Sequence, residues 1–218
     1  RGLGDVYKRQ WVLRSHSLAK QAREAGVLEP YLVGVQGATA DAGIRDRISE
    51  RFLDKLPPLL PDGAILTAGN TCLMHDGAAF LMVASERYVK EHNLTPLAEI
   101  VDSVTVGGNP DKSPETAILA IQKLLAKTKH TAEDIAVFEC NEAFAVIDEL
   151  FARAYPEAVD HYNRYGGALA YGHPYGASGG IITIHACRAL QETPGYAVCS
   201  IAAAGGIGHA LLLRAGGM

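Results

Sequence analysis

The sequence predicts an α/β chain whose sheet is covered by helices on both faces. Two observations predict it. From Leu97 onward, short apolar runs alternate with segments of amphipathic helical spacing. The apolar runs read as buried strands, with the composition of an ordinary globular chain: 48% hydrophobic and 20% charged over 218 residues.

The elements follow in order. RGLGDVYKRQ at 1–10 has neither an apolar core nor a cleavage site, so it is no signal peptide. It reads as a cloning or assembly scar, and the chain is expected to begin inside a larger protein. Residues 11–25 have an amphipathic helical pattern ended by Gly26. Residues 28–62 hold an apolar run YLVGV, a charged helix DRISERFLDKL and a PPLLPDG boundary. GAILTAGNTCLMHDG opens as a short strand and becomes a loop. AAFLMVASERYVKEH reads as a buried strand running into a helix.

LAEIVDSVTVG is a strand, and SPETAILAIQKLLAKT is a helix with Ser113 as N-cap and Pro114 at its first position. HTAEDIAVFEC gives a helix start and then a strand. NEAFAVIDELFARAYP is a helix beginning at a strand end, ALAYGHP a short strand, and ASGGIITIHACRALQE a helix. YAVCSIAAAGG and HALLLR close the chain as a hairpin.

Bulk properties narrow the function. The net charge of −4 is spread without a basic stripe, which argues against a nucleic-acid surface. No apolar run reaches the roughly 18–20 residues of a membrane-spanning helix. Cys72, Cys140, Cys187 and Cys199 form no C-x-x-C pair and suit reduced thiols, so a cytoplasmic location is expected.

In α/β sheets ligands bind where strands end. Three segments have that position: NEAF at 141–144, GHPYGASG at 172–179 and AAAGGIGHA at 202–210. His173 is either a structural histidine or a group that polarises a carbonyl and moves a proton. Gly172 before it allows close approach, Pro174 fixes the outgoing chain, and a helix N-terminus follows. Asn141 is either a helix N-cap or an amide that orients a water or substrate oxygen. Glu142 either serves the helix N-terminus or binds a neighbouring loop. AAAGGIGHA is either tight hairpin packing or a set of free N–H groups facing an oxyanion. No lysine completes a phosphate loop, and GGIGHA fails the G-x-G-x-x-G pattern.

Together, NEAFA, GGALAYGHPYGASGG and GGIGHALLL resemble the N-E-A-F, G-H-P-x-G-x-S-G and C-x-G-G-G-x-G motifs of the thiolase family. TAGNTCLMHDGAA resembles that family's T-A-G-N-x-S-x-x-x-D-G-A segment, and RSHSLAKQAREAG its loop-domain helix. The resemblance covers residues 11–214. It implies an αβαβα layered fold: part of the loop domain at 11–65, a closing strand and helix of the N-terminal half at 66–95, and the C-terminal domain at 96–218. It also implies acyl-CoA acyltransfer in fatty acid metabolism, by Claisen condensation or thiolytic cleavage, with a coenzyme A thioester as substrate and no covalently bound cofactor or metal. The expected partners are further copies of the chain or a partner carrying the N-terminal half, with no nucleic acid and no membrane.

The resemblance gives His173 the role of activating a nucleophilic cysteine and lining an oxyanion hole. It gives Asn141 the water of that hole, and the backbone N–H of Ala204 a donor in a second hole. Gly172, Gly206 and Cys72 are expected beside the CoA thioester. The nucleophilic cysteine belongs to the family's N-terminal half, which these residues do not include. The acid/base cysteine falls on Ala202, whose methyl group cannot carry a proton. Without another base, proton transfer would slow by roughly 10²–10⁴-fold. Cys199, three residues earlier, would point to the opposite face about 10 Å away. These departures imply an incomplete or impaired enzyme, a non-catalytic acyl-CoA-binding subunit, or a ketosynthase-like condensing enzyme using Cys, His and Asn. Cys72 with His75 is either a nucleophile pair or, at Cys72, a small side chain lining the CoA tunnel. The resemblance assigns His75, which stands where the family has asparagine, no role.

Overall fold

The computed structural model describes residues 3–60 and 65–217. Its centre is a four-stranded mixed sheet made of β1 (Ala98–Gly107), β2 (Ile135–Cys140), β3 (Tyr196–Ala203) and β4 (Ile207–Ala215), in the order β1-β4-β3-β2. β4 runs antiparallel to both β1 and β3, and β2 is parallel to β3. The helices are α1 (Leu3–Glu24), α2 (Glu50–Leu53), α3 (Glu86–Glu91), α4 (Glu115–Thr128), α5 (Ala145–Ala154), α6 (Ala168–Tyr171) and α7 (Ser178–Glu192).

Strand alternation sorts the core onto two faces. Phe138, Cys140, Val198, Ala210 and Leu212 meet Ile121 and Leu124 of α4 and Phe151 of α5. Val137, Ala197, Cys199 and Leu213 meet Ile182, Ala186 and Leu190 of α7, with Ala22 of α1 beside them. The expected two-sided sheet is present at β2, β3 and β4. α1 reaches back to Leu3, so residues of the presumed scar continue the helix expected from residue 11.

Several local expectations are corrected. DRISERFLDKL forms only the single turn α2. Ser49 caps it by accepting from the Phe52 N–H, and Pro57-Pro58 stop it soon after. ALAYGHP is not a strand: its first residues form α6, ended at Gly172. HTAED makes one 3₁₀ turn, held where the Thr131 N–H and hydroxyl both donate to Asp134. Ser113 does not cap α4. Its hydroxyl donates to the Pro110 carbonyl and accepts from the Gly206 N–H, which ties the helix entry to the β3–β4 turn.

The expected strand opening of GAILTAGN falls partly outside the described residues, and Ile65-Leu66 form no strand. The described part makes one isolated bridge, Pro58 to Thr67; residues 61–64 lie outside the described residues. AAFLMVAS is extended but pairs with no strand among the described residues. Phe80, Met82 and Val83 are 89%, 75% and 74% exposed rather than buried. A strand is buried only when neighbours satisfy its backbone and cover its side chains; here Ala79 packs on Gly180, and Phe80–Val83 find no pairing strand among the described residues.

Candidate active site

Two of the three expected loops meet directly. β2 ends at Cys140 and leads into Asn141, whose N–H donates to the Ser200 carbonyl and whose carbonyl accepts from the Ala143 N–H. Asn141 is therefore not the N-cap of α5, which begins four residues later at Ala145. Its amide is buried, and Nδ2 lies 3.5 Å from His173 Nε2. An amide nitrogen only donates, so Nε2 is the acceptor and Nδ1 carries the hydrogen. That Nδ1 lies 2.5 Å from Ser178 Oγ at the start of α7. Burial lowers the His173 pKa, which keeps the ring neutral at pH 7. Gly172 has φ +90, a conformation that side-chain-bearing residues avoid, and this turn aims His173 at Asn141. Tyr175 also has a positive φ, of 41°; its ring is 63% exposed and lies tilted over His173 at 5.0 Å.

A buried network fixes the far side of Asn141. Glu142 accepts from Ser15 Oγ at 2.6 Å, Asn163 Nδ2 at 3.0 Å and the Leu169 N–H at 3.2 Å. Glu142 thus serves the N-terminus of α6, through the Leu169 N–H, rather than that of α5, and also binds α1 at Ser15 and the loop at Asn163. Asn163 also brackets Cys140, accepting from its N–H and donating to its carbonyl. Burial raises Glu142 and raises Asp148 well above the usual carboxyl range. The three donors favour charge on Glu142, so the proton of this acidic pair sits on Asp148.

Residues 70–80 join the two loops. The Ala145 N–H donates to the Asn70 carbonyl, and the Cys72 N–H to the Ala143 carbonyl. The His173 N–H donates to the Leu73 carbonyl at 2.8 Å. Farther along, Gly77 packs on Pro174 and Ala79 on Gly180. Nothing in the spacing of TAGNTCLMHDGAA announced this strap. Ser15 was equally invisible, because a serine inside an amphipathic helix carries no signal of its partner.

Cys72 is half-buried, and burial lifts its thiol to about 11, with the charge of Glu142 adding to the rise. That leaves it protonated at neutral pH and disfavours the nucleophile reading. In the third loop, Ala202 pairs with Gly208 and packs on the α4 side. Cys199 lies on the α7 side, its thiol against the Ile182 carbonyl at 3.7 Å, so the two do point to opposite faces. Ala204 is exposed at the turn, and its N–H makes no hydrogen bond among the described residues. The Gly206 N–H, by contrast, is occupied by Ser113.

Comparison with known proteins bears on this arrangement. The family model described as "Thiolase, C-terminal domain" matches residues 94–215, more than half of the chain. The chain belongs to the thiolase family. An acetyl-CoA acetyltransferase of Synechocystis is 38% identical to this thiolase chain over 208 residues, 90% of the chain and 52% of the relative. The mitochondrial 3-ketoacyl-CoA thiolase of Homo sapiens is 34% identical over 214 residues, 94% of the chain and 54% of the relative.

Among solved structures, the Bacillus anthracis acetyl-CoA acetyltransferase superposes with a TM-score of 0.89 at 30% identity, covering 97% of this chain and 56% of its own. The Acat5 thiolase of Ascaris suum, solved in complex with coenzyme A, gives 0.88 at 28% identity, with the same coverage. The fold is thiolase-like, and the chain spans about half the length of the curated relatives it matches. No helix among the described residues is long and apolar enough to cross a membrane.

Proposed function

We propose that this chain supplies the histidine–asparagine half of the active site of an acyl-CoA acyltransferase, acting in Claisen condensation or thiolysis of 3-ketoacyl-CoA. The observation that carries the reading is the His173 ring, neutral, with Nε2 directed at Asn141 and Nδ1 anchored on Ser178. Such a ring accepts a thiol proton at Nε2. Once protonated, it donates from the same atom to a thioester oxygen, with the Asn141 amide as a second source of hydrogen bonds. The free N–H of Ala204 is suited to a second oxyanion contact, and Cys72 lines the thioester path as a small, protonated side chain. The substrate is a coenzyme A thioester, and no cofactor is held covalently.

The nucleophilic cysteine comes from an N-terminal thiolase half, whether on the same polypeptide or a partner. The exposed run Phe80–Val83 supports such a neighbour, because an unpaired apolar strand needs one. Ala202 favours a second reading: a ketosynthase-like or non-catalytic acyl-CoA-binding subunit, since a methyl group handles no proton. The test is co-expression with a cysteine-bearing N-terminal half, followed by acetoacetyl-CoA thiolysis. Activity that is lost in His173→Gln and raised in Ala202→Cys is expected. An assembled protein that binds acyl-CoA but transfers nothing, even with Ala202→Cys, would leave the binding-subunit reading and refute the acyltransferase.

A further inference from the structure

His75 stands beside the active loop with no part in the chemistry above, and its surroundings are specific. A Cβ built on Gly172 would lie 2.3 Å from His75 Nδ1 and 2.4 Å from Cγ, so the imidazole rests directly on the Gly172 backbone. On Gly43, a Cβ would come within 2.9 Å of His75 Cε1. Two bare glycine backbones thus border the slot that the imidazole fills. One residue back, Met74 forms a parallel bridge with His173, and the Leu73 carbonyl holds the His173 N–H. Asp41, two residues before Gly43, lies within electrostatic reach: burial raises its carboxyl, and the His75 imidazole pulls it back down.

The geometry points to His75 as a positioning residue for His173: a flat ring clamped between Gly43 and Gly172 that fixes the turn from which the active imidazole projects. The inference deepens the acyltransferase reading and rests on it for the word "active". The physical argument is steric. Gly172 at φ +90 has no side chain of its own to hold it, and glycine is the residue freest to leave such a conformation. The imidazole of His75 covers its α-carbon and so supplies from a neighbouring segment the packing that glycine lacks.

The test reads His173 itself. The full 218-residue chain is labelled with ¹⁵N, and imidazole correlations are followed with pH, the His173 signal being assigned by its loss in His173→Gln. Emptying the slot with His75→Ala is expected to let water reach His173 and move its midpoint up toward the ordinary value of about 6.5. His75→Phe keeps a flat ring and is expected to hold the wild-type midpoint. A folded His75→Ala with an unmoved His173 midpoint overturns the proposal, as does a His75→Phe shift equal to that of alanine. If His75→Ala fails to fold, His75→Asn takes its place with the same expected direction, and an unmoved midpoint there overturns the proposal equally. Absence of acyl transfer sinks the functional reading alone, because the imidazole signals report the loop without substrate.

Discussion

Replacing Glu142 by alanine removes the acceptor shared by three buried donors: the Ser15 hydroxyl, the Asn163 amide and the Leu169 N–H. Each donor stranded away from water costs about 1–3 kcal/mol. Two terms reduce the sum. Water can enter the space left by the side chain, and the neighbouring Asp148 loses an acidic partner that raises its pKa. The expected loss is about 3–5 kcal/mol, a large share of the roughly 5–15 kcal/mol that holds a domain together. Urea unfolding followed by Trp11 fluorescence and far-ultraviolet circular dichroism measures it. Ser15→Ala is the control. It removes one bond to Glu142 and the acceptor of the Gly167 N–H, and should cost about 1–2 kcal/mol. A Glu142→Ala loss below about 1 kcal/mol, or one no larger than that of Ser15→Ala, would refute the network as the support of the Asn141 loop.

Ser178→Ala leaves His173 Nδ1–H without its acceptor, so both ring tautomers become populated; in the assembled enzyme kcat is expected to fall about tenfold, and an unchanged kcat would count against the assigned tautomer. Burial of His185 lowers its pKa to about 4, below the unfolded value of about 6.5, so the unfolded chain binds the extra proton and stability is lost as pH falls between those values. That loss is about 3 kcal/mol, while Glu139 at 3.8 Å, raised by burial, changes stability in the opposite sense; His185→Gln should flatten the acid limb of a stability–pH curve. Cys72, with its thiol near 11, should react with iodoacetamide roughly a hundredfold more slowly at pH 7 than a free cysteine, and mass spectrometry of the labelled peptide reads the rate.

The sheet from Leu97 on was legible because its strands carry short apolar runs, interrupted by polar residues in β1, and each long helix has an apolar face. Both signals are local. The opposed positions of Ala202 and Cys199 followed from the two-residue period of a strand. ALAYGHP misled because ALAY is apolar and short, and a four-residue helix has no period to show. AAFLMVAS misled for another reason: its composition records the burial it would have beside a neighbour, and the described chain provides none. At the site, His173 and Asn141 could be singled out, yet the choice of Asn141 as cap or amide depended on where α5 starts. Ser15, Asn163 and the strap at 70–80 reach the site from distant parts of the chain, and no pattern within a window encodes a contact 127 residues long such as Ser15–Glu142.

The strap also sets a folding order. The Leu73–His173 hydrogen bond closes a loop of about a hundred residues, an entropic cost of about 4 kcal/mol that one such bond cannot offset. The contact forms only after β2 to β4 and their helices have already brought the loops together. His173 is therefore seated only once that framework is in place, so its setting depends on the whole domain and not on its own loop.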